Sequence, residues 1–136
     1  LETGSKVTGA EYTRAIGQFD RLKAQFVDQF ERYDLLLSPT MAVDAFPVGE
    51  YPEKVAGREV DPFWGYLPYT FPINMVGYPA ASIPCGFSSD GLPVGLHVIG
   101  RSGDEATVIA ASAAFERAKP WAQDRPPGSW GTSRLV

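Results

Sequence analysis

The chain has 136 residues, and 12 lysines and arginines against 16 aspartates and glutamates give it a formal net charge of −4 at pH 7. This acidic balance argues against a nucleic-acid partner, because proteins that bind phosphate backbones carry a basic excess. Hydrophobic residues make up 44% and charged residues 21% of the chain, which excludes a disordered chain, and no run reaches the roughly 20 apolar residues of a membrane span. The first residue is leucine, so we expect a piece of a longer chain with one hydrophobic core.

The single cysteine and the single histidine exclude two classes of scaffold. Cys85 has no second cysteine with which to form an internal disulfide, and His97 alone cannot build a zinc site. We therefore expect no metal and no other cofactor. The lone cysteine also favours a cytoplasmic location.

The first predicted element is a long amphipathic helix. Thr8 and Glu11 have the spacing of a capping box, so the helix should begin near residue 9. Apolar residues follow at a mean spacing of about 3.5, which keeps them on one face: Tyr12, Ile16, Phe19, Leu22, Phe26, Phe30 and Tyr33. We predict a surface helix of about 25 residues that packs this face on a core.

A short apolar run and an irregular middle region come next. Leu35, Leu36 and Leu37 precede Ser38 and Pro39 without alternation, which is typical of a strand buried on both faces of a parallel or mixed sheet. The connection from residue 40 to residue 61 shows no periodicity. Connections of this length without secondary structure are usually functional or contact a partner, so we expect the same here.

The second half of the chain predicts a hairpin and a helix. The turn signal at residues 88–91 separates two apolar runs, and a pairing of Gly86 with Val94 would place Ile83 opposite His97. Asp104 should cap a helix that stops before Pro120. Residues 122–136 are proline-rich and lack periodicity, and we predict that they form a tail.

The search for catalytic residues leaves one arrangement to test. No nucleophile elbow, phosphate-binding loop or metal-spaced histidine pair is present, and the lysines lie at predicted surface positions without the apolar context that would activate one. Cys85 and His97 would lie diagonally across the hairpin, at roughly 7–8 Å between backbones. An inert buried cysteine is favoured over a Cys/His pair.

An aromatic cluster occupies residues 63–71. Five aromatic side chains stand there within nine residues and follow no clean period: Phe63, Trp64, Tyr66, Tyr69 and Phe71. Core packing is the favoured interpretation, and the wall of a pocket for an apolar ligand is the alternative.

An ordered series of motifs resembles the C-terminal part of the amidase signature family. The series spans about residue 8 to Trp121 and comprises Tyr33-Asp34-Leu35-Leu36-Leu37-Ser38-Pro39-Thr40, Thr70-Phe71-Pro72-Ile73-Asn74, Gly77-Tyr78-Pro79-Ala80, Ser82-Ile83-Pro84-Cys85-Gly86, Asp90-Gly91-Leu92-Pro93-Val94-Gly95-Leu96, Ile99-Gly100-Arg101 and Asp104-Glu105. Several motifs in the family's order and spacing are far more specific than one short match.

The resemblance implies an α/β fold, which would look α+β in isolation, with part of a mixed sheet flanked by helices. It assigns residues 1–121 to the C-terminal region of an amidase-like domain, followed by the tail. The family's serine, second serine and lysine lie in an N-terminal region that is absent here, so no catalytic residue is assigned to this chain. The resemblance implies a segment of an amide hydrolase that is inactive alone.

One departure from the family pattern bears on the substrate. The glutamine-using branch has an acidic residue seven positions before the motif asparagine Asn74, where this chain has Leu67. A carboxylate there would bind an ammonium group, whereas Leu67 beside Tyr66, Tyr69 and Phe71 favours an apolar or aromatic amide. We take these four residues as the candidate substrate-binding set.

A non-enzymatic binding or assembly module derived from the amidase fold is the alternative function. Under either hypothesis, the apolar helix face and the strand would lack the cover that the rest of an amidase provides. We therefore expect either a homo-oligomer or a complex with the missing N-terminal part, and a small-molecule amide as the substrate of the whole enzyme.

Overall fold

The computed structural model describes residues 4–124. A short 3-10 turn, Gly4–Lys6, precedes the regular elements. The helices of the described part are α1 (Gly9–Phe30), α2 (Phe71–Val76) and α3 (Glu105–Ala118), and its strands are β1 (Leu35–Pro39), β2 (Lys54–Val55), β3 (Arg58–Glu59), β4 (Ala80–Phe87) and β5 (Pro93–Gly100). No helix of this part is long and apolar enough to cross a bilayer.

Strand β5 is the centre of the main sheet. It pairs with β1 on one side and β4 on the other, and both pairings are antiparallel. His97 of β5 therefore stands between Ser38 of β1 and Ser82 of β4. The predicted combination of sheet and flanking helices is confirmed.

The hairpin exists as predicted, but its register differs by one residue over most of its length. Gly86 pairs with Val94 as expected, and a bulge then places Ser82, not Ile83, opposite His97. Cys85 is the extra residue of this bulge and has no pairing partner between β4 and β5. An extra residue of this kind turns the following side chains over, so the register predicted without a bulge is wrong beyond it. Pro84 in the sequence indicates an edge, a terminus or a bulge at this strand, and β4 has both a bulge there and an edge position in the described sheet.

Helices cover both faces of the sheet. On one face, α1 and α2 bury a cluster of Phe30, Ile73, Val76, Tyr78 and Ile99. On the other, α3 packs Val108 against Ile83 and Val98. Because Val98 and Ile99 are neighbours on β5, strand alternation sends one side chain into each core.

Strand β1 is not buried on both faces by the residues that the structure describes. It lies at the edge of the described sheet, and Leu37 is 62% exposed. Leu35 and Leu36 are half-buried, and each packs against a different core cluster. The predicted strand is confirmed, but the predicted burial on both faces is wrong within residues 4–124, because no element there covers Leu37.

Helix α1 begins where its capping box predicts. The Thr8 side chain accepts a hydrogen bond from the Glu11 amide at 3.3 Å, and the Glu11 carboxylate accepts one from the Thr8 amide at 2.8 Å. The Thr8 amide and the Thr8 hydroxyl both donate to the Glu11 carboxylate, at 2.8 and 2.7 Å, and these two hydrogen bonds lower the pKa of Glu11. The helix ends at Phe30 after 22 residues, shorter than predicted, and Tyr33 lies beyond it and is exposed.

The middle region contains two elements that periodicity did not reveal. Strands β2 and β3 form a small hairpin whose turn residues, Ala56 and Gly57, both have positive φ. Helix α2 has a proline in its first turn and ends at Gly77 in the left-handed conformation, which is the usual proline-first, glycine-last pattern. Both elements are too short to produce a hydrophobic period.

The predicted boundary between domain and tail falls at the end of the described chain. Trp121 packs on Phe115, with ring centroids 6.3 Å apart, so the packed region extends at least that far. Most of the predicted tail, residues 125–136, lies outside the described residues. The division after residue 121 stays a prediction.

Replacement of the α1 cap tests how this helix is held. Thr8→Ala removes the side-chain acceptor for the Glu11 amide, and we expect the free energy of unfolding to fall by about 1 kcal/mol in urea titrations. Thr13→Ala makes the same chemical change inside the helix, where alanine is the better helix former, and should not destabilise the chain. Equal losses in the two variants would contradict the capping assignment.

Candidate functional site

A cavity of about 510 Å³ lies where the chain leaves β1. Its lining comes from two segments, residues 41–46 after β1 and residues 93–95 at the start of β5. The volume lies within the range of small-molecule binding sites, roughly 300–1,000 Å³. We call residues 41–46 the cavity wall.

Thr40 anchors the start of the cavity wall to the sheet. Its amide donates a hydrogen bond to the Gly95 carbonyl at 2.9 Å, and its hydroxyl shares one of 2.7 Å with the hydroxyl of Ser82. A Cβ atom on Gly95 would lie 2.6 Å from Ser82 Oγ and 2.7 Å from Thr40 Oγ1. The two hydroxyls therefore meet over the bare backbone of a glycine that has no room for a side chain.

His97 continues this polar row towards the α1/α2 core. It is 5% exposed, and its Nδ1 lies 3.4 Å from the hydroxyl of Ser38. Burial lowers the pKa of His97, so the neutral ring is favoured. Ser38, His97 and Ser82 are thus register partners on the three neighbouring strands, and Thr40 contacts Ser82 at the start of the cavity wall.

The Ser38 and His97 pair does not have the geometry of a nucleophile and its base. The Ser38 hydroxyl donates to the carbonyl of Pro39 at 3.0 Å, so its proton is directed away from the ring. The 3.4 Å separation exceeds the usual reach of about 2.6–3.2 Å. No carboxylate within residues 4–124 orients the ring, so a structural role fits this pair better.

Four aromatic rings, one of them from the cavity wall itself, pack together, and we call this cluster the aromatic lobe. The lobe consists of Phe46, Tyr51, Phe63 and Tyr66, with ring centroids of contacting pairs 5.2–6.4 Å apart. Phe46 meets Tyr66 edge to face at 5.2 Å, and the Ala42 amide donates to the Tyr66 carbonyl at 3.4 Å. Tyr66 therefore contacts the cavity wall at two points, the Ala42 amide and the Phe46 ring.

The four residues predicted to bind substrate do not form one cluster. Tyr66 belongs to the aromatic lobe and contacts the cavity wall, and Leu67 beside it is half-buried. Phe71 instead packs against Trp64 at 5.0 Å, and Tyr69 makes no ring contact within the described part of the chain. None of the four lines the cavity itself.

Core packing, the interpretation favoured from the sequence for this aromatic cluster, does not fit the exposed rings. Phe63 is 64% and Trp64 59% exposed. Asp61 orders the start of this segment by accepting hydrogen bonds from the amides of both residues, at 2.8 and 2.9 Å. Exposed aromatic rings of this kind supply apolar contact area to a ligand or to a covering segment of protein.

Sequence reasoning identified no residue of the cavity wall. Residues 41–46 show no motif or period, and the one signal for them was the length of the irregular connection that they begin. Thr40 and Gly95 did belong to motifs of the family resemblance, but their contact depends on the fold.

The Cys/His pair considered from the sequence is not formed. The Cys85 thiol donates to the Val94 carbonyl at 3.4 Å, and the Lys119 ammonium donates to the Cys85 carbonyl. The ring partner of His97 is Ser38. Among residues 4–124, no group of three His, Cys, Asp or Glu residues could hold a metal ion.

Comparison with known proteins identifies the family. The model of the Amidase family matches residues 1–109. The chain belongs to the amidase signature family. A solved bacterial aryl acylamidase of this family aligns with a TM-score of 0.81 at 36% identity, over 92% of this chain and 27% of that one. A solved 6-aminohexanoate cyclic dimer hydrolase aligns with a TM-score of 0.78 at 29% identity, over 90% and 27%.

Curated relatives match at similar levels. One subunit of the glutamyl-tRNA(Gln) amidotransferase of Thermosynechococcus vestitus is 40% identical over 119 residues, and the corresponding subunit from Moorella thermoacetica is 44% identical over 119 residues. Each match covers 86% of this chain and 23% of the relative. The chain thus spans about a quarter of the length of the amidase-family proteins that it matches.

Gly95→Ala tests the anchor of the cavity wall. The added methyl group would collide with the hydroxyls of Ser82 and Thr40, so we expect a loss of about 1–3 kcal/mol in the free energy of unfolding. Gly17→Ala is the matched control because a Cβ there meets open space, and alanine should stabilise the helix by about 0.5–1 kcal/mol. A neutral or stabilising Gly95→Ala would contradict the anchor.

His97→Gln tests the buried ring through pH. Because the pKa of His97 is lowered in the folded chain, the unfolded chain takes up its proton at higher pH. The contribution of His97 to the free energy of unfolding should be fully present above the ordinary histidine pKa of about 6.5. It should decrease as the pH falls below that value. Urea titrations from pH 7 to pH 5 should show this fall in the unmodified chain and a flatter profile in His97→Gln. An unchanged fall in the variant would exclude His97 as its source.

Proposed function

We propose that this chain is part of an enzyme that hydrolyses amide carbon–nitrogen bonds, and that it provides one wall of the substrate-binding cleft. The observation that carries the proposal is the anchored cavity wall with the aromatic lobe behind it, in a chain of the amidase signature family. A cavity of this kind binds small molecules through apolar contacts and a few positioned polar groups.

An apolar or aromatic amide is the substrate class that these residues favour. Most of the cavity lining is uncharged, and Leu67 stands where a carboxylate would bind an ammonium group in the glutamine-using branch of the family. The partly exposed rings of Tyr69 and Phe71 offer further apolar surface outside the cavity lining. The likeness to an aryl acylamidase supports the same class.

The chain alone should not turn over amides. Acyl transfer requires an activated nucleophile and a stabilised oxyanion. Within residues 4–124, the Cys85 thiol donates a hydrogen bond to a backbone carbonyl, and the Ser38 hydroxyl proton is directed away from His97. The family's serines and lysine would come from the remainder of the enzyme.

The exposed apolar side chains favour a covering partner. Leu37 lies at the sheet edge, and Tyr12 and Ile16 of α1 are also exposed. The remainder of an amidase domain or a second copy of this chain would cover such surfaces. The same exposure supports the alternative, a binding or assembly module without catalysis. A cytoplasmic location and the absence of a nucleic-acid partner also remain predictions.

Leu67→Asp tests the substrate class in the chain itself. A carboxylate beside the aromatic rings should weaken acetanilide binding by about tenfold, since the ligand must then displace water from a charge. Titration followed by NMR chemical shifts would measure the affinity and show which residues respond. The neutral replacement Leu67→Met should bind like the unmodified chain, and so should Val48→Asp, at a fully exposed position.

Two results would contradict the proposal. One is unchanged acetanilide affinity in Leu67→Asp. The other is a set of shifted resonances that excludes both the cavity wall and residues 66–71.

A further inference from the structure

The cavity lining combines apolar side chains with one ionisable group. Met41, Val43 and Phe46 supply apolar surface from the wall, and Pro93 and Val94 supply it from β5. Asp44 is the only ionisable residue among those that line the cavity. A carboxylate on such a wall distinguishes cationic ligands from neutral ligands of the same shape.

The Asp44 carboxylate is available to a ligand. Asp44 is exposed, and within residues 4–124 no hydrogen bond or ion pair engages its side chain. The ion pair between Arg101 and Asp34, at 3.1 Å, involves no residue of the cavity wall or of the aromatic lobe. A cationic ligand group would therefore face no competing basic partner at Asp44.

The wall on both sides of Asp44 is held in place. On the N-terminal side, Thr40 is hydrogen-bonded to the Gly95 carbonyl and the Ser82 hydroxyl, and the Ala42 amide donates to the Tyr66 carbonyl. On the C-terminal side, the ring of Phe46 packs against that of Tyr66. Asp44 thus lies between two anchored points, which lowers the ordering cost of ligand binding.

We infer that the cavity selects amides that join an apolar or aromatic body to a protonated amine, with Asp44 as the specificity-determining residue. The inference rests on the proposed function and deepens it. By the family resemblance, Leu67 stands where the glutamine-using branch carries a carboxylate. Asp44 instead places a carboxylate in the cavity lining, to which Leu67 does not belong.

The expected preference is modest and salt-sensitive. Because Asp44 is exposed, its pairing with an ammonium group resembles a surface ion pair, which corresponds to a preference of about two- to fivefold for the cationic ligand. Added salt screens such pairs, so the preference should decrease in about 1 M sodium chloride.

A matched pair of ligands tests this inference on the full chain. The cationic probe is 4-(aminomethyl)acetanilide, which is protonated at pH 7, and the neutral probe is 4-ethylacetanilide, of nearly the same shape. Calorimetric or NMR titration at low salt should show tighter binding of the cationic probe to the unmodified chain. Asp44→Asn should bind both probes equally.

Glu50→Gln is the control for net charge. It removes one negative charge, as Asp44→Asn does, but Glu50 lies on the same connection outside the cavity lining. The two- to fivefold preference should persist in this variant, whereas its loss would assign the preference to the overall charge of the chain and overturn the role of Asp44.

The neutral probe separates the two proposals. Equal binding of both probes to the unmodified chain would overturn the selection of cationic amides and leave the proposed aromatic-amide site intact. Failure of both probes to bind would contradict the proposed function and this inference together. A preference that survives Asp44→Asn would also overturn the assignment.

Discussion

The approach of Thr40 to the bare backbone of Gly95 is the contact on which the candidate site depends. It joins the three strands of the main sheet, since Thr40 directly follows β1, Gly95 belongs to β5 and Ser82 belongs to β4. A side chain at position 95 would fill the space in which the two hydroxyls meet. The irregular segment that follows Thr40 is thereby held against the sheet and becomes one wall of the cavity.

The parts of the fold that could be predicted are those with local signals. Thr8 and Glu11 marked the start of α1, Asp104 marked that of α3, and the turn at residues 88–91 marked the hairpin. Each signal depends on hydrogen bonds between near neighbours in sequence, so it can be read without knowledge of the fold. The family resemblance added the sheet and the class of chemistry.

The parts that could not be predicted depend on long-range contacts. The bulge at Cys85 shifted His97 from Ile83 to Ser82. Pro84 marks this strand as an edge, a terminus or a bulge, but the choice among the three and the resulting register depend on the fold. The pairing of Thr40 with Ser82 joins residues 42 positions apart. The aromatic residues were predicted as a group, but the fold divides them between Tyr66 in the aromatic lobe and Phe71 beside Trp64. The contacts that form the candidate site therefore depend on how the strands pair and could not be predicted from local sequence.

Native-state hydrogen exchange of the unmodified chain measures whether the cavity wall is anchored to the sheet. If the wall is anchored, the amides of Thr40 and Ala42 should exchange much more slowly than those of exposed loop residues such as Ser89, because their acceptors are the carbonyls of Gly95 and Tyr66. Exchange at Thr40 and Ala42 as fast as at Ser89, with β4 and β5 still protected, would show a folded sheet without an anchored wall and would contradict the account.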